Sequence, residues 1–163
     1  MTDVVELYLL RHADAGDPGK WDGPDARRPL SPKGEKQSER LGRFLAGLGF
    51  RPDAILSSPK LRASQTAERV AEQLGVPVTL DERLGGGVDE DVVEAILRDA
   101  GDPRQAVLVG HDPDFSTLLQ SLCVARNVEM KKGALARIDL IRPVGSGPGD
   151  LRWLVPPDLL KPG

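Results

Sequence analysis

The chain has 163 residues and a formal net charge of -3, which suits one domain over residues 1–163 and argues against a general nucleic-acid binder. Its single cysteine, Cys123, excludes an internal disulfide and a cysteine-based zinc site. The N-terminal segment lacks the features of a signal peptide, and no apolar run approaches the roughly 20 residues of a membrane span. We therefore expect a cytoplasmic protein, favoured as a monomer, with neither a membrane nor a nucleic-acid partner.

The first third of the chain predicts a strand, a long loop and a helix. A strand over residues 4–10 is followed by a loop over residues 13–30 that is rich in glycine, proline and aspartate. Ser31 as N-cap and Pro32 at the first helical position begin the helix, and Gly49 ends it. The apolar stripe of this helix is formed by Leu41, Phe44, Leu45 and Leu48.

The middle of the chain alternates short apolar runs with helical patterns. Strands are predicted over residues 53–56, 76–80 and 105–110. Ser58, followed by proline, predicts the N-cap of the next helix, and Asp112 before Pro113 predicts another. A helix with Val92, Val93, Ile96 and Leu97 on one face follows a glycine-rich loop at residues 85–87. This alternation predicts a mostly parallel sheet with helices on both faces.

The end of the chain departs from that alternation. Residues 135–141 and 151–155 read as strands, and a short glycine-rich segment connects them. A connection this short favours an antiparallel hairpin. The predicted fold class is therefore a three-layer α/β fold, whose mostly parallel sheet ends in an antiparallel C-terminal hairpin.

Four basic side chains are predicted to meet at one edge of this sheet. His12 and His111, the chain's two histidines, each follow an apolar strand directly, and Arg11 precedes the first of them. Arg62 lies in the first turn of a helix, where a cation opposes the helix dipole unless an anion binds there, and Lys60 adds to that mismatch. Two arginines and two histidines around one point predict a pocket for a phosphoryl group.

This set of residues favours phosphoryl transfer through a histidine. A neutral imidazole can attack phosphorus and carry the phosphoryl group as an intermediate, which divides one difficult step into two. Arg11, Arg62 and His111 would bind the phosphoryl oxygens, and the positive field of the two arginines removes the need for a metal ion or another cofactor.

Several segments resemble those of a known family, the histidine phosphatase superfamily with its phosphoglycerate mutase-like fold. They occur in the family's order between residue 7 and about residue 119. The matching segments are Leu10-Arg11-His12-Ala13, with alanine where the family has glycine; Pro29-Leu30-Ser31-Pro32-Lys33-Gly34-Glu35-Lys36-Gln37; Ser57-Ser58-Pro59-Lys60-Leu61-Arg62-Ala63-Ser64-Gln65-Thr66-Ala67; and Val109-Gly110-His111.

The resemblance implies a role for each of the four basic residues. It makes His12 the nucleophile, and it makes Arg11, Arg62 and His111 the phosphate pocket of a mostly parallel sheet flanked by helices. The small size and the ending Leu151-Arg152-Trp153-Leu154-Val155 resemble the SixA-type phosphohistidine phosphatase branch.

The general acid is the part that the sequence leaves open. Mutase-type members carry a glutamate shortly after the third strand, whereas residues 81–87 here offer only Glu82, without a convincing match. Asp112 resembles the aspartate that protonates the leaving group in acid phosphatases, although the N-cap role is favoured for it. A phosphorylated imidazole leaves more readily than an alkoxide, so a missing acid favours phosphohistidine on a protein partner as the substrate.

Three alternatives remain at this point. One is a general small-molecule phosphomonoesterase that uses Asp112 or Glu82 as its acid. Another is a phosphate-binding or phosphoprotein-binding module without turnover. The third is a metal hydrolase, which Arg11 and Arg62 disfavour by repelling a divalent ion; its ligands would be His12, His111, Asp14, Asp112 and Asp114.

Overall fold

A six-stranded sheet forms the middle layer of the protein in the computed structural model, which describes residues 3–163. Its strands are β1 (Val4–Arg11), β2 (Ala54–Ser57), β3 (Val78–Leu80), β4 (Gln105–Gly110), β5 (Leu135–Ile141) and β6 (Asp150–Val155). They lie in the order β3-β2-β4-β1-β5-β6, and β1 to β4 are mutually parallel. β5 runs antiparallel to both of its neighbours, so the predicted mostly parallel sheet with an antiparallel C-terminal hairpin is confirmed.

Two helices cover each face of the sheet. They are α1 (Pro32–Gly47), α2 (Leu61–Leu74), α3 (Glu90–Asp99) and α4 (Asp114–Cys123). In β1, Tyr8 and Leu10 pack with α1 and α2, whereas Leu7 and Leu9 pack with α3 and α4. This alternation follows from the two-residue period of a strand and confirms the three-layer prediction. In the part of the chain from residue 3 onward, no helix is both long and apolar enough to cross a bilayer.

The first helix follows its predicted signals at its start but buries less of its apolar stripe than expected. The Ser31 hydroxyl accepts the backbone N–H of Gly34 at 3.1 Å, as an N-cap does. Leu41 and Leu45 are buried, but Phe44 is 39% exposed and Leu48 is 64% exposed. The buried stripe is narrower than predicted because, of its four residues, Leu41 and Leu45 belong to the core that α1 shares with α2.

The start of α2 differs from the prediction, since the helix begins at Leu61 with Lys60 as its N-cap. Ser58 was expected in that role, but its hydroxyl contacts the ring of His111 and accepts the Lys60 backbone N–H. Pro59 consequently lies in a bend before the helix. Arg62 still lies in the first helical turn, as predicted.

The third strand is shorter than the predicted range of residues 76–80. It begins at Val78, because the backbone N–H of Val76 still bonds to the Ala71 carbonyl of the preceding helix, at 3.4 Å. The other predicted strands lie within a residue or two of their observed bounds.

Candidate active site

A cleft of about 420 Å³ lies at the carboxyl ends of β1 and β4, and all four predicted basic residues line it. β1 and β4 are adjacent and parallel, with Arg11 paired in register with Gly110. His12 and His111 therefore leave the sheet side by side, with ring centroids 5.2 Å apart. The lining residues are Arg11, His12, Pro18, Arg28, Lys60, Arg62, Gly85, Gly86, Gly87, His111, Asp112, Pro113, Asp114 and Lys132.

The His12 ring is fixed by its own backbone neighbour. Its Nδ1 lies 2.7 Å from the carbonyl oxygen of Ala13, and a carbonyl can only accept, so Nδ1 carries the proton. The lone pair of the neutral ring is therefore on Nε2. Burial lowers the pKa of His12 to about 4, and the charges of Arg62 and Arg11 add to this shift. The ring is consequently neutral near pH 7 and has a nitrogen available for attack.

His111 is also buried and neutral. Burial lowers its pKa to about 3, with further contributions from the charges of His12, Arg62 and Lys60. Its Nε2 lies 2.8 Å from the Ser58 hydroxyl, whereas its Nδ1 is buried without a hydrogen-bond partner.

Arg11 and Arg62 are held at their guanidinium ends, and each retains a buried Nε without a partner. Arg11 Nη1 donates to the Met130 carbonyl at 2.8 Å, and Arg62 donates to Asp25 through both Nη atoms, at 2.9 and 3.0 Å. The Nε atoms of both arginines are buried and unpaired. Across residues 3–163, the buried side-chain polar atoms without a partner are these two and Nδ1 of His111. Since buried polar groups are normally satisfied, this concentration in one cleft indicates a binding site for an anion.

A third arginine in the cleft, Arg28, was missed in the sequence. It is 7% exposed, and its Nη1 donates to the Ala15 carbonyl at 2.7 Å while its Nε donates to Asp25 at 3.2 Å. Asp25 thus holds Arg28 and Arg62 together. Arg28 lies in the non-periodic loop, where its neighbour Arg27 offers the same chemistry and is exposed. The only local signal was its position directly before the Pro29-Leu30 segment.

Positive charge predominates in the cleft. Five cationic side chains and two carboxylates line it. The cations are Arg11, Arg28, Lys60, Arg62 and Lys132, and the carboxylates are Asp112 and Asp114. Lys132 is partly compensated by Asp14, whose carboxylate lies 3.7 Å from its Nζ. This balance favours a ligand with more than one negative charge.

The two acid candidates lie in different places. Asp112 lines the cleft, where its Oδ1 accepts the Ser116 backbone N–H at 2.9 Å and its Oδ2 accepts the Ser116 hydroxyl at 2.6 Å. Its Oδ2 also lies 3.5 Å from Arg11. Pro113 is the formal N-cap of α4, but Asp112 satisfies the backbone N–H that a capping side chain would satisfy. Glu82 is exposed, begins a short 3₁₀ turn over Glu82–Gly85 and is not among the residues that line the cleft.

The residues of the metal-hydrolase alternative do not assemble into a ligand cluster. Within residues 3–163, no group of three or more histidine, cysteine or carboxylate side chains is arranged to hold a metal ion. Asp14 accepts the Ser31 hydroxyl at 2.6 Å, and Asp114 accepts the Val88 backbone N–H at 3.2 Å, so both have structural partners.

Comparison with known proteins agrees with this geometry. The model of the histidine phosphatase superfamily (branch 1) matches residues 7–86, which include three of the four predicted basic residues. Phosphohistidine phosphatase SixA of Escherichia coli is 28% identical over 162 residues, which cover 96% of this chain and 97% of that protein. An uncharacterised protein of Picosynechococcus is 31% identical over 137 residues, covering 80% of this chain and 82% of that one.

Solved structures show the same similarity. The structure of the protein histidine phosphatase SixA complexed with tungstate superposes with a TM-score of 0.81 at 28% identity, over 96% of this chain and 100% of that one. A SixA structure from Agrobacterium tumefaciens, at 24% identity and a TM-score of 0.75, shares the fold over 98% of this chain and 99% of that one.

Proposed function

The chain belongs to the histidine phosphatase superfamily, in its SixA-type branch, and on this premise we propose that His12 is the nucleophile that removes phosphate from a protein phosphohistidine. Membership of the superfamily makes the chain a phosphatase with a catalytic histidine. The proposal adds which histidine attacks, which groups bind the phosphoryl oxygens and which substrate is hydrolysed.

One observation carries the proposal: the unpaired buried nitrogens Arg11 Nε, Arg62 Nε and His111 Nδ1 all belong to residues that line the cleft with His12. In the transition state, the transferring phosphoryl group presents three equatorial oxygens that share its negative charge. Two guanidinium N–H donors and an imidazole nitrogen around an imidazole nucleophile suit this charge distribution, because each donor binds more strongly as the oxygens gain charge.

The reaction proceeds in two displacements. In the first, the Nε2 lone pair of His12 bonds to phosphorus while the P–N bond to the substrate imidazole breaks, and that imidazole keeps the electron pair and takes a proton from solvent. In the second, a water oxygen bonds to phosphorus, the P–Nε2 bond breaks, and the water proton passes to solvent as phosphate leaves. His12 must be a neutral ring before the first step and is one again after the second, which agrees with its lowered pKa of about 4.

The proposed reaction is independent of metal ions. Arg11, Arg28 and Arg62 supply positive charge in the place where a metal ion would otherwise bind the phosphoryl oxygens. The same charges would repel a divalent cation from the two histidines.

The leaving group is proposed to be an imidazole because the cleft offers little to protonate an alkoxide. Both oxygens of Asp112 accept hydrogen bonds from Ser116, and Glu82 lies outside the cleft. An imidazole departs more easily than an alkoxide and depends less on a general acid. The similarity to SixA of Escherichia coli, a phosphohistidine phosphatase, supports the same substrate class.

The test compares wild type with His12→Asn on a phosphohistidine-bearing protein and on p-nitrophenyl phosphate. Wild type should prefer the phosphohistidine, and a chelator should leave its rate unchanged. His12→Asn should lose turnover and the acid-labile phosphoenzyme, yet still bind tungstate weakly.

Other results would favour one of the alternatives. Higher activity on the ester, lost in Asp112→Asn, would replace this substrate with a small phosphomonoester. Activity that a chelator removes and added metal restores would favour a metal hydrolase. Absence of turnover by wild type on either substrate would favour a binding module.

A further inference from the structure

The Ser58 hydroxyl has two polar contacts, of which the one with His111 is buried and the other is partly buried. It accepts the backbone N–H of Lys60 at 3.2 Å, and it lies 2.8 Å from Nε2 of His111. Ser58 is 0% exposed and His111 is 7% exposed, so water cannot replace either contact easily. Ser58 itself is absent from the cleft lining, and among the side chains of the cleft its hydroxyl bonds to the imidazole of His111.

The direction of the hydrogen bond between Ser58 and His111 follows from counting protons. If His111 Nε2 donated, the serine proton would have no acceptor among residues 3–163, and the bare Nδ1 of His111 would also be unpaired. If the Ser58 hydroxyl donates, the proton of the neutral ring lies on Nδ1, and that N–H is the only group left unpaired. The second arrangement leaves fewer buried groups unsatisfied, and an anion in the cleft would satisfy the remaining one.

We propose that Ser58 is a positioning residue that holds His111 in the Nδ1–H tautomer, so that His111 donates a hydrogen bond to the phosphoryl group. The inference rests on the proposed function for the identity of the anion, but the tautomer itself is a property of the resting protein. In the opposite tautomer, a lone pair on Nδ1 would face the phosphoryl oxygens and repel them.

The inference also explains why α2 begins late. A serine before proline would ordinarily cap the helix, yet the Ser58 hydroxyl is engaged with His111 and Lys60, and α2 begins at Leu61. The hydroxyl therefore bonds to the His111 ring, which follows β4, and does not cap the helix.

The direct test is nitrogen NMR of the ligand-free protein, which is simple because the chain contains two histidines. His12→Asn leaves His111 as the single histidine, so the signals that remain are those of His111. In wild type, His111 should show a protonated Nδ1 and a bare Nε2, whereas in Ser58→Ala most of the population should shift to the Nε2–H form. Protonation on Nε2 in wild type, or an unchanged tautomer in Ser58→Ala, would overturn the inference.

Kinetics then measure the consequence. Ser58→Ala should lower kcat about 10- to 100-fold, with a smaller change in KM, because the lost donor acts on the transition-state charge. Ser58→Thr, which keeps the hydroxyl, should restore most of the rate. Ser57→Ala is the matched control, since Ser57 is equally buried but its hydroxyl donates to the Ser58 carbonyl at 2.9 Å.

The two proposals fail in distinguishable ways. If His12→Asn retained turnover while His111 kept its Nδ1 proton in wild type, the proposed function would fall and the role of Ser58 in fixing the tautomer would stand. If the tautomer were correct but Ser58→Ala turned over at the wild-type rate, the catalytic consequence would be wrong.

Discussion

Arg142 and Arg62 are both mostly buried arginines, with side chains 11% and 8% exposed, but their donors are used differently. Arg142 gives Nε and Nη2 to the two oxygens of Glu94, at 3.0 and 2.7 Å, and Nη1 to Asp102 at 2.8 Å. Arg62 gives both Nη atoms to Asp25 and leaves Nε buried and unpaired.

The difference separates an arginine that supports the fold from one that is prepared for a ligand. Glu94 binds Arg142 and also accepts the backbone N–H of Val144 at 3.0 Å, so this ion pair fixes the chain after β5 to α3. The buried Nε of Arg62 instead has no partner within the protein and is free to bind an anion in the cleft. A fully paired buried arginine should therefore matter for stability, and an incompletely paired one for activity.

Arg62→Ala should produce the largest effect on activity. Loss of a guanidinium that we propose binds the transferring phosphoryl group should lower kcat/KM about a thousandfold. The free energy of unfolding should change little, because removal of this cation relieves the crowding of positive charge in the cleft. Steady-state kinetics and urea unfolding would check both effects, and a large loss of stability with normal kcat/KM in the folded fraction would contradict the comparison.

Arg142→Ala should produce the opposite pattern. It leaves the buried Glu94 carboxylate with only the exposed Arg98, 3.3 Å away, as a cationic partner. The free energy of unfolding should therefore fall, towards the lower end of about 3–5 kcal/mol, while kcat/KM of the folded protein stays near wild type. Urea unfolding measures the loss. Replacing the pair together, by Arg142→Met with Glu94→Gln, removes both charges and keeps an acceptor for the Val144 N–H, so it should recover much of the stability. Failure of Glu94→Gln to compensate would show that the charge is not the cause.

The two cleft histidines make a pH-dependent contribution to stability. His12 has an ordinary pKa of 6.5 when unfolded and about 4 when folded, so between these values the unfolded state binds more protons. The free energy of unfolding should therefore fall as the pH drops from about 6.5 to about 4, by on the order of 3 kcal/mol for His12. His12→Asn should lack this part of the decline. Parallel profiles for the two proteins would contradict the assigned burial effect.

The alternation of strands and helices was sufficient to predict the sheet, its helix layers and the convergence of His12 with His111. These features follow from periodicity and from the rule that parallel strands present their carboxyl ends at one edge. Arg62 was predictable because a cation in the first turn of a helix is locally unfavourable and so indicates an anion.

The remaining parts of the cleft depend on tertiary contacts that have no local signal. Arg28 and Asp25 lie in a loop without periodicity, and Asp25 meets Arg62 only because the loop folds back onto α2. Ser58 carried a strong local signal for a helix cap, but contact with His111 on a neighbouring strand took precedence. Phe44 and Leu48 fit the helical period, yet their exposure depends on how much of α1 its neighbours cover.

Asp25→Asn should have the smallest effect, and it tests whether the shared carboxylate prepares the cleft arginines. Asp25 is exposed, and the Arg62 bond to its backbone carbonyl survives the substitution. The interaction free energy lost from the ion pair should therefore be about 0.2–1 kcal/mol. We expect KM for the phosphorylated substrate to rise two- to fivefold, since about 1 kcal/mol corresponds to that ratio, with kcat nearly unchanged. Asp22→Asn, an exposed aspartate in the same loop, is the matched control. An equal effect of both substitutions would mean that only the loop's net charge matters, whereas a large fall in kcat with Asp25→Asn would show that Asp25 orients Arg62 during the transfer itself.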